Sequence, residues 1–209
     1  MYLVRHGATE NNRAKPPRLQ GQGIDAALSP EGIKQARRTA DFLAPCPLAA
    51  VYSSPLLRAR QTAEPIAQRH GLAVQVVDDL VEVDIGQWEG MTWDEVQRQY
   101  PAEYQAFIAD AGIHPYLGGE TLENVRARVT PAMSRLLDEN LGRAIAVVAH
   151  NVVNRAYLAH LIQMPLSLYR MLPQDNCCVN LLRHRNGRTR IVTISSTFHL
   201  EDGKIGGLE

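Results

Sequence analysis

Six apolar residues in a row, Ala144 to Ala149, end at His150-Asn151, and a shorter apolar run, Tyr2-Leu3-Val4, ends at Arg5-His6-Gly7. A strand with one wet face alternates apolar with polar residues. A continuous run is the pattern of a strand buried on both faces, which belongs to a parallel sheet with helices on either side. In such open sheets, ligands bind beyond the carboxyl ends of the strands. Each run therefore delivers a histidine to the expected mouth of the sheet. One histidine after a strand is more often structural than functional; two in one chain, each ending a buried strand, point to a site. Arg5 adds a planar cation suited to anionic oxygens, and His6 a nucleophile or proton carrier. Gly7 lets the backbone turn and come close to a ligand. A helix expected from Val152 to Ile162 would offer its first N–H groups to an anion.

The rest of the chain reads as one α/β domain spanning 1–209, 45% hydrophobic and long enough for a sizeable core. Asn11 to Ala27 is polar and rich in Gly and Pro, the pattern of a long functional loop. Ser29-Pro30-Glu31 opens a helix by capping, with Ile33, Ala36, Ala40 and Leu43 on its apolar face. Leu48 to Tyr52 is a second strand. Ser53-Ser54-Pro55 stops it and starts another helix, with Ser54 as N-cap. Arg58 falls in that helix's first turn, where its charge opposes the dipole and an anion would explain it. Val74 to Val77 is a third strand. Thr92 and Glu95 form a capping box opening a helix toward Tyr100. The aromatic-rich stretch 92–119, broken by Pro101 and Pro115, predicts a small helical lobe over the site. Leu122, Val125, Val129 and Leu136 share a helix face, with a kink expected at Pro131. Cys178 to Arg183 and Arg190 to Ser195 flank Asn186-Gly187, a hairpin signal. The stretch after Glu201 reads as a loose end.

Composition narrows the partners. Net charge is zero, so neither nucleic acid nor a membrane surface is indicated, and no apolar run has transmembrane length. The three cysteines, Cys46, Cys177 and Cys178, match neither a disulfide framework nor a zinc spacing. With the chain opening directly on its first strand, a cytoplasmic location is expected. Oligomeric state is left open, a homodimer being one option. His70, His114, His160, His184 and His199 lie outside any motif and receive no role.

Four stretches resemble one family in its own order. Arg5-His6-Gly7-Ala8-Thr9 with Asn12 is similar to the opening signature of the histidine phosphatase superfamily, the phosphoglycerate mutase-like enzymes. Ala8 stands where the family usually has an acid or Gln. Ser53 to Ala63, containing Arg58 and Gln61, resembles its second arginine motif. Leu80-x-Glu82 followed by Gly86-x-Trp88-Glu89-Gly90 resembles its acid motif. His150, with Asn151 in place of the usual Gly, and then Val153 and Arg155, resembles its second histidine motif. Leu19-Gln20-Gly21 resembles its substrate-side loop.

The resemblance implies a three-layer α/β/α sandwich with a mostly parallel sheet of about six strands and one antiparallel strand in a C-terminal hairpin. It implies a phosphomonoesterase acting on small phosphate esters, with no cofactor and no metal. His6 would attack phosphorus and form a phosphohistidine. Arg5, Arg58, Asn12, Thr9 and Asn151 would bind the phosphoryl oxygens, together with a cationic His150. Glu82 would protonate the leaving oxygen and later activate water. Gln20, Gly21 and Tyr116 would face the leaving group. Two other functions fit the same motifs: a phosphoglycerate mutase, which usually carries a larger insertion after the acid motif, and a non-catalytic phosphometabolite binder, against which the intact Arg5, His6, Arg58, Glu82 and His150 argue.

Overall fold

The computed structural model describes residues 1–200; the stretch after Glu201 lies outside them. The elements run in the order β1 (Tyr2–Arg5), α1 (Glu10–Arg13), α2 (Pro30–Leu43), β2 (Leu48–Ser53), α3 (Leu57–Arg69) and β3 (Val74–Val76). Then come α4 (Trp93–Gln99), α5 (Pro101–Ala109), α6 (Leu122–Glu139), β4 (Ala144–Ala149), α7 (Asn151–Leu161), β5 (Val179–Arg185) and β6 (Arg188–Ser196). The strand order is β3-β2-β4-β1-β5-β6. β1, β2, β3 and β4 pair in parallel, and β5 runs antiparallel to both β1 and β6.

The unbroken apolar run of β4 is explained by its neighbours. Ala146 and Val148 face a core built with Ala40 and Leu43 of α2 and Ala59, Ala63 and Ile66 of α3. Ile145, Val147 and Ala149 face the opposite core, with Val129 and Met133 of α6 and Val153 and Tyr157 of α7. Period-two alternation thus puts an apolar residue on each face at every step. Three central strands carry their carboxyl ends to one edge, and the site forms there.

The hairpin turns at Asn186 and Gly187, both at positive φ (51° and 68°), as a two-residue turn of this type requires. Several boundaries differ from the sequence reading. The expected loop after β1 begins with the one-turn helix α1, closed by a capping box between Thr9 and Asn12. Ile33 is exposed, and α2 instead buries Gly32, Ala36, Thr39, Ala40 and Leu43. Ser54 does not cap α3. The cap position is Leu56, which makes no side-chain cap bond, and Leu57 N donates to Asp25 Oδ1 at 2.6 Å. A carboxylate from a distant loop therefore does what the adjacent hydroxyl was expected to do. α6 runs as one helix through Pro131. The three cysteines are free thiols.

Candidate active site

Register alone brings the two histidines together. Arg5 pairs with Ala149 across β1 and β4, so the next residues, His6 and His150, leave the sheet side by side. His6 N donates to Ala149 O at 3.0 Å, and the two rings lie 5.2 Å apart. Ser54 leaves β2 next to β4 by the same logic, its N donating to Val148 O at 3.0 Å. Its hydroxyl then stands 2.7 Å from Nε2 of His150. Gly7 answers a close approach: a Cβ there would lie 2.6 Å from Gly32 O of α2.

The hydrogen bonds fix how His6 is protonated. Nδ1 is 2.7 Å from Gly7 O. A carbonyl oxygen only accepts, so Nδ1 carries the hydrogen and Nε2 keeps its lone pair. Burial, then the charges of Arg58 and Arg5, hold His6 well below the ordinary histidine range. His150 is held well below it by burial first, and then by Arg58, His6 and Arg5. Both rings are neutral at pH 7. This corrects the expectation of a cationic His150, because two buried arginines beside it disfavour a third positive charge.

Three buried side-chain nitrogens around these rings have no partner among the described residues: Nε of Arg5, Nε of Arg58 and Nδ1 of His150. Three such nitrogens beside two histidines form a place where an anion would find donors. Both Nη groups of Arg58 and Nη1 of Arg5 are engaged. Arg58 donates to Gly21 O (2.9 Å) and Ile24 O (2.8 Å), and Arg5 donates to Gln174 O at 2.5 Å. If Nδ1 of His150 is the protonated nitrogen, its Nε2 accepts from Ser54, whose oxygen itself accepts from Leu56 N.

Glu82 is buried, 3% exposed. Its Oε1 accepts from Val83 N (3.0 Å) and Val153 N (3.3 Å), and its Oε2 from Val152 N (3.3 Å). The N-terminus of α7, where an anion was expected, is thus filled by the Glu82 carboxyl group. Arg128 braces the segment leading to it. One edge pairs with Glu120, while Nη1 donates to Asp79 O and Val81 O and Nη2 to Glu82 O. No sequence motif marks Arg128.

The remaining candidates separate. A cavity of about 370 Å³ is lined by Arg5, His6, Asn12, Gln20, Glu82, Tyr116 and Asn151. Asn12 spends Oδ1 on Thr9 and Asn176, which leaves its amide nitrogen for the cavity. Asn151 Oδ1 is buried without a partner. Burial first, then Tyr169, pushes the Tyr116 hydroxyl well above its ordinary value, so it stays protonated. Two candidates turn out otherwise. Thr9 is fully buried and its hydroxyl goes to Asn12 and Gln20 rather than to the cavity, because the chain spends it on capping α1. Gly21 shows the cavity no side chain. Its carbonyl holds Arg58, its N–H bonds Glu89, and a Cβ would lie 2.5 Å from Val83 O. Gln20 lines the cavity with both amide ends occupied, by Thr9 and Ile24. The sequence reading gave no role to Arg155, Tyr169 or Arg170, which also line it. Only Arg155 had a signal, its place in the second histidine motif. Among the described residues, no group of three or more His, Cys, Asp or Glu side chains could hold a metal ion. No helix among them is long and apolar enough to cross a membrane.

Comparison with known proteins agrees with this geometry. The family model of the histidine phosphatase superfamily (branch 1) matches residues 1–197. The chain is 32% identical over 200 residues to phosphoserine phosphatase 1 of Hydrogenobacter thermophilus, covering 96% of this chain and 93% of that protein. Among solved structures, Bacillus stearothermophilus YhfR superposes with a TM-score of 0.88 at 28% identity, over 96% of this chain and 98% of that one. A mycobacterial glucosyl-3-phosphoglycerate phosphatase complexed with VO3 superposes with a TM-score of 0.83 at 30% identity, over 94% and 99%. A mixed six-stranded sheet between two helical layers, two histidines at adjacent strand ends and a match over almost the whole chain agree: the chain belongs to the histidine phosphatase superfamily, branch 1.

Proposed function

We propose that the chain hydrolyses small phosphate monoesters in two steps through a phosphohistidine on Nε2 of His6. The observation that carries this is the trio of unpartnered donors, Arg5 Nε, Arg58 Nε and His150 Nδ1, beside a histidine whose Nε2 lone pair is free. Phosphoryl transfer asks a protein mainly for positioning and charge stabilisation. In the first step Nε2 attacks phosphorus, the N–P bond forms and the P–O bond to the leaving group breaks. The three donors, with the Asn12 amide, receive the phosphoryl oxygens as their charge redistributes. Glu82 gives its proton to the departing oxygen. In the second step Glu82 takes a proton from water, whose oxygen attacks phosphorus, and the N–P bond breaks to return neutral His6. Burial keeps His6 unprotonated at neutral pH, as a nucleophile must be.

The test is a panel of phosphate esters assayed for released phosphate, with and without a bisphosphoglycerate primer, together with rapid quench of labelled substrate. The expected result is primer-independent release and an acid-labile label that His6→Ala abolishes. Rapid primed interconversion of phosphoglycerates with almost no phosphate released would make the chain a mutase. Binding without turnover would make it a non-catalytic receptor.

A further inference from the structure

Four arginines line the cavity, against one carboxylate, Glu82. Arg5 belongs to the phosphoryl end. Arg18 is already engaged, donating to Gly90 O at 2.7 Å and standing 3.6 Å from Glu95. Arg155 and Arg170 remain. Neither has an acidic partner among the ion pairs of the described residues.

The two share a construction. Both guanidiniums stand over the Tyr169 ring, each 5.7 Å from its centroid. Among the described residues each spends only Nε on the protein: Arg155 on Leu172 O at 2.7 Å, Arg170 on Tyr169 Oη at 3.2 Å. The paired Nη groups, the edge that fits a carboxylate bidentately, have no acceptor among the described residues on either arginine. Arg170 is further seated over Trp93, 4.8 Å from the ring centroid, so its orientation is fixed by stacking. The two charges sit close enough to oppose each other, and burial adds to the cost on Arg155. Arg155 is half-buried and Arg170 exposed, so both edges reach the cavity, and two like charges fixed on one ring with no acid between them favour an anion that joins them. The direction is also set. Arg155 lies one helical turn after Asn151 on the same face of α7, and both line the cavity. The pair therefore lies on from the histidine end, where a leaving group would extend.

Resting on the phosphatase reading above, we propose that Arg155 and Arg170 form a second anion subsite, and that the preferred substrates are phosphorylated carboxylic acids, the carboxylate being held between the two guanidinium edges. Bidentate contact to a planar carboxylate gives each arginine a direct substrate contact. A neutral sugar or polyol phosphate would leave both charges unpaired.

The test compares 3-phosphoglycerate with glycerol 3-phosphate, which replaces the carboxylate by a hydroxymethyl group. The wild-type protein is expected to prefer 3-phosphoglycerate in kcat/KM by at least about 100-fold, and Arg155→Gln and Arg170→Gln each to cut that preference by about tenfold. The loss should appear mainly in KM, and Arg→Lys should restore part of it. Binding of both esters to His6→Ala, measured by calorimetry, is a readout independent of turnover. Equal affinity for the two esters, or a preference untouched by both substitutions, overturns the subsite. Stronger preference for a bisphosphate than for the carboxylate overturns the carboxylate assignment. If wild-type protein releases phosphate from no ester while His6→Ala still binds 3-phosphoglycerate preferentially, the subsite stands and the hydrolytic reading falls.

Discussion

Replacing Glu82 by Gln separates two things the carboxylate does. It is a structural acceptor of three backbone N–H bonds, from Val83, Val152 and Val153. It is also the proposed proton donor. Gln keeps the length and one carbonyl oxygen. That oxygen can take over the bonds from Val83 and Val153, and the NH₂ then meets the Val152 N–H as donor against donor. One hydrogen bond is lost and one buried N–H orphaned, a cost of about 1–2 kcal/mol. For a chain of this length that is a fall in melting temperature of about 2–8 °C. The folded fraction at 25 °C is hardly altered, so the kinetic comparison stays valid.

The catalytic effect should depend on the leaving group. An alkoxide must be protonated as it departs, whereas a nitrophenolate leaves almost unaided. General acid catalysis contributes about 10²–10⁴-fold. Glu82→Gln is therefore expected to lose about that much in kcat/KM on an alkyl phosphate such as 3-phosphoglycerate, and less than about tenfold on p-nitrophenyl phosphate. The quantity must be kcat/KM, because kcat also contains hydrolysis of the phosphohistidine, where Glu82 acts as base for every substrate. Equal losses on the two substrates would refute the assignment. The next carboxylates are already committed elsewhere: Glu89 accepts from Gly21 and Gly23, and Asp84 from Gly86. Such a result would therefore point to a water or substrate proton rather than to a neighbouring acid.

Three further outcomes are expected. Folding stability should fall on acidification. With His6 and His150 held well below the ordinary value of 6.5, the unfolded chain takes up protons first, so stability is full above pH 6.5 and drops below it; a His6→Asn, His150→Asn variant with the same pH dependence in urea melts would contradict this. Arg58→Gln should move the acid limb of kcat/KM to higher pH, because a charge lowering both histidines is removed; an unmoved limb would show that burial alone sets their protonation. Phosphate release should survive exhaustive chelation, and loss with EDTA restored by a divalent ion would refute charge supplied by the arginines alone.

Much of the fold was legible because burial on both faces writes itself into sequence. The run from Ala144 to Ala149 is the observed strand, and Asn186-Gly187 the observed turn. The two histidines were legible for the same reason: each stands one residue past an apolar run or its closing arginine. What could not be read was long-range. Thr9 looks like a free hydroxyl in a loop, and only the fold shows it capping α1. Ser54 looks like a helix cap, but Asp25 arrives from a distant loop and Ser54 turns to His150. Arg170 sits in the 3-10 segment Leu166–Met171, outside every motif, and acquires meaning only when Trp93 and Tyr169 come beneath it. Local propensity marks positions; which donor meets which acceptor is decided by pairs far apart in the chain.

The arginines show how the site keeps its charge available. Where an arginine has a bracing role, it is matched by an acid: Arg128 pairs with Glu120 while its other nitrogens hold the backbone before Glu82. Arg58 and Arg5 are held differently, by the carbonyls of Gly21, Ile24 and Gln174, with no acid among the ion pairs of the described residues. A carboxylate partner would fix a guanidinium equally well, but it would cancel the charge and compete with phosphate for the same edge. A carbonyl dipole fixes the geometry and leaves the net charge in place. The loop from Leu19 to Asp25 supplies the two carbonyls that hold Arg58, and Glu89 secures it through Gly21 and Gly23. The glycines, the remote Glu89 and the buried Arg58 are thus one device. It holds a cation, preoriented and without a direct ion pair among the described residues, beside the nucleophile, so that little reorganisation remains when a phosphoryl dianion arrives.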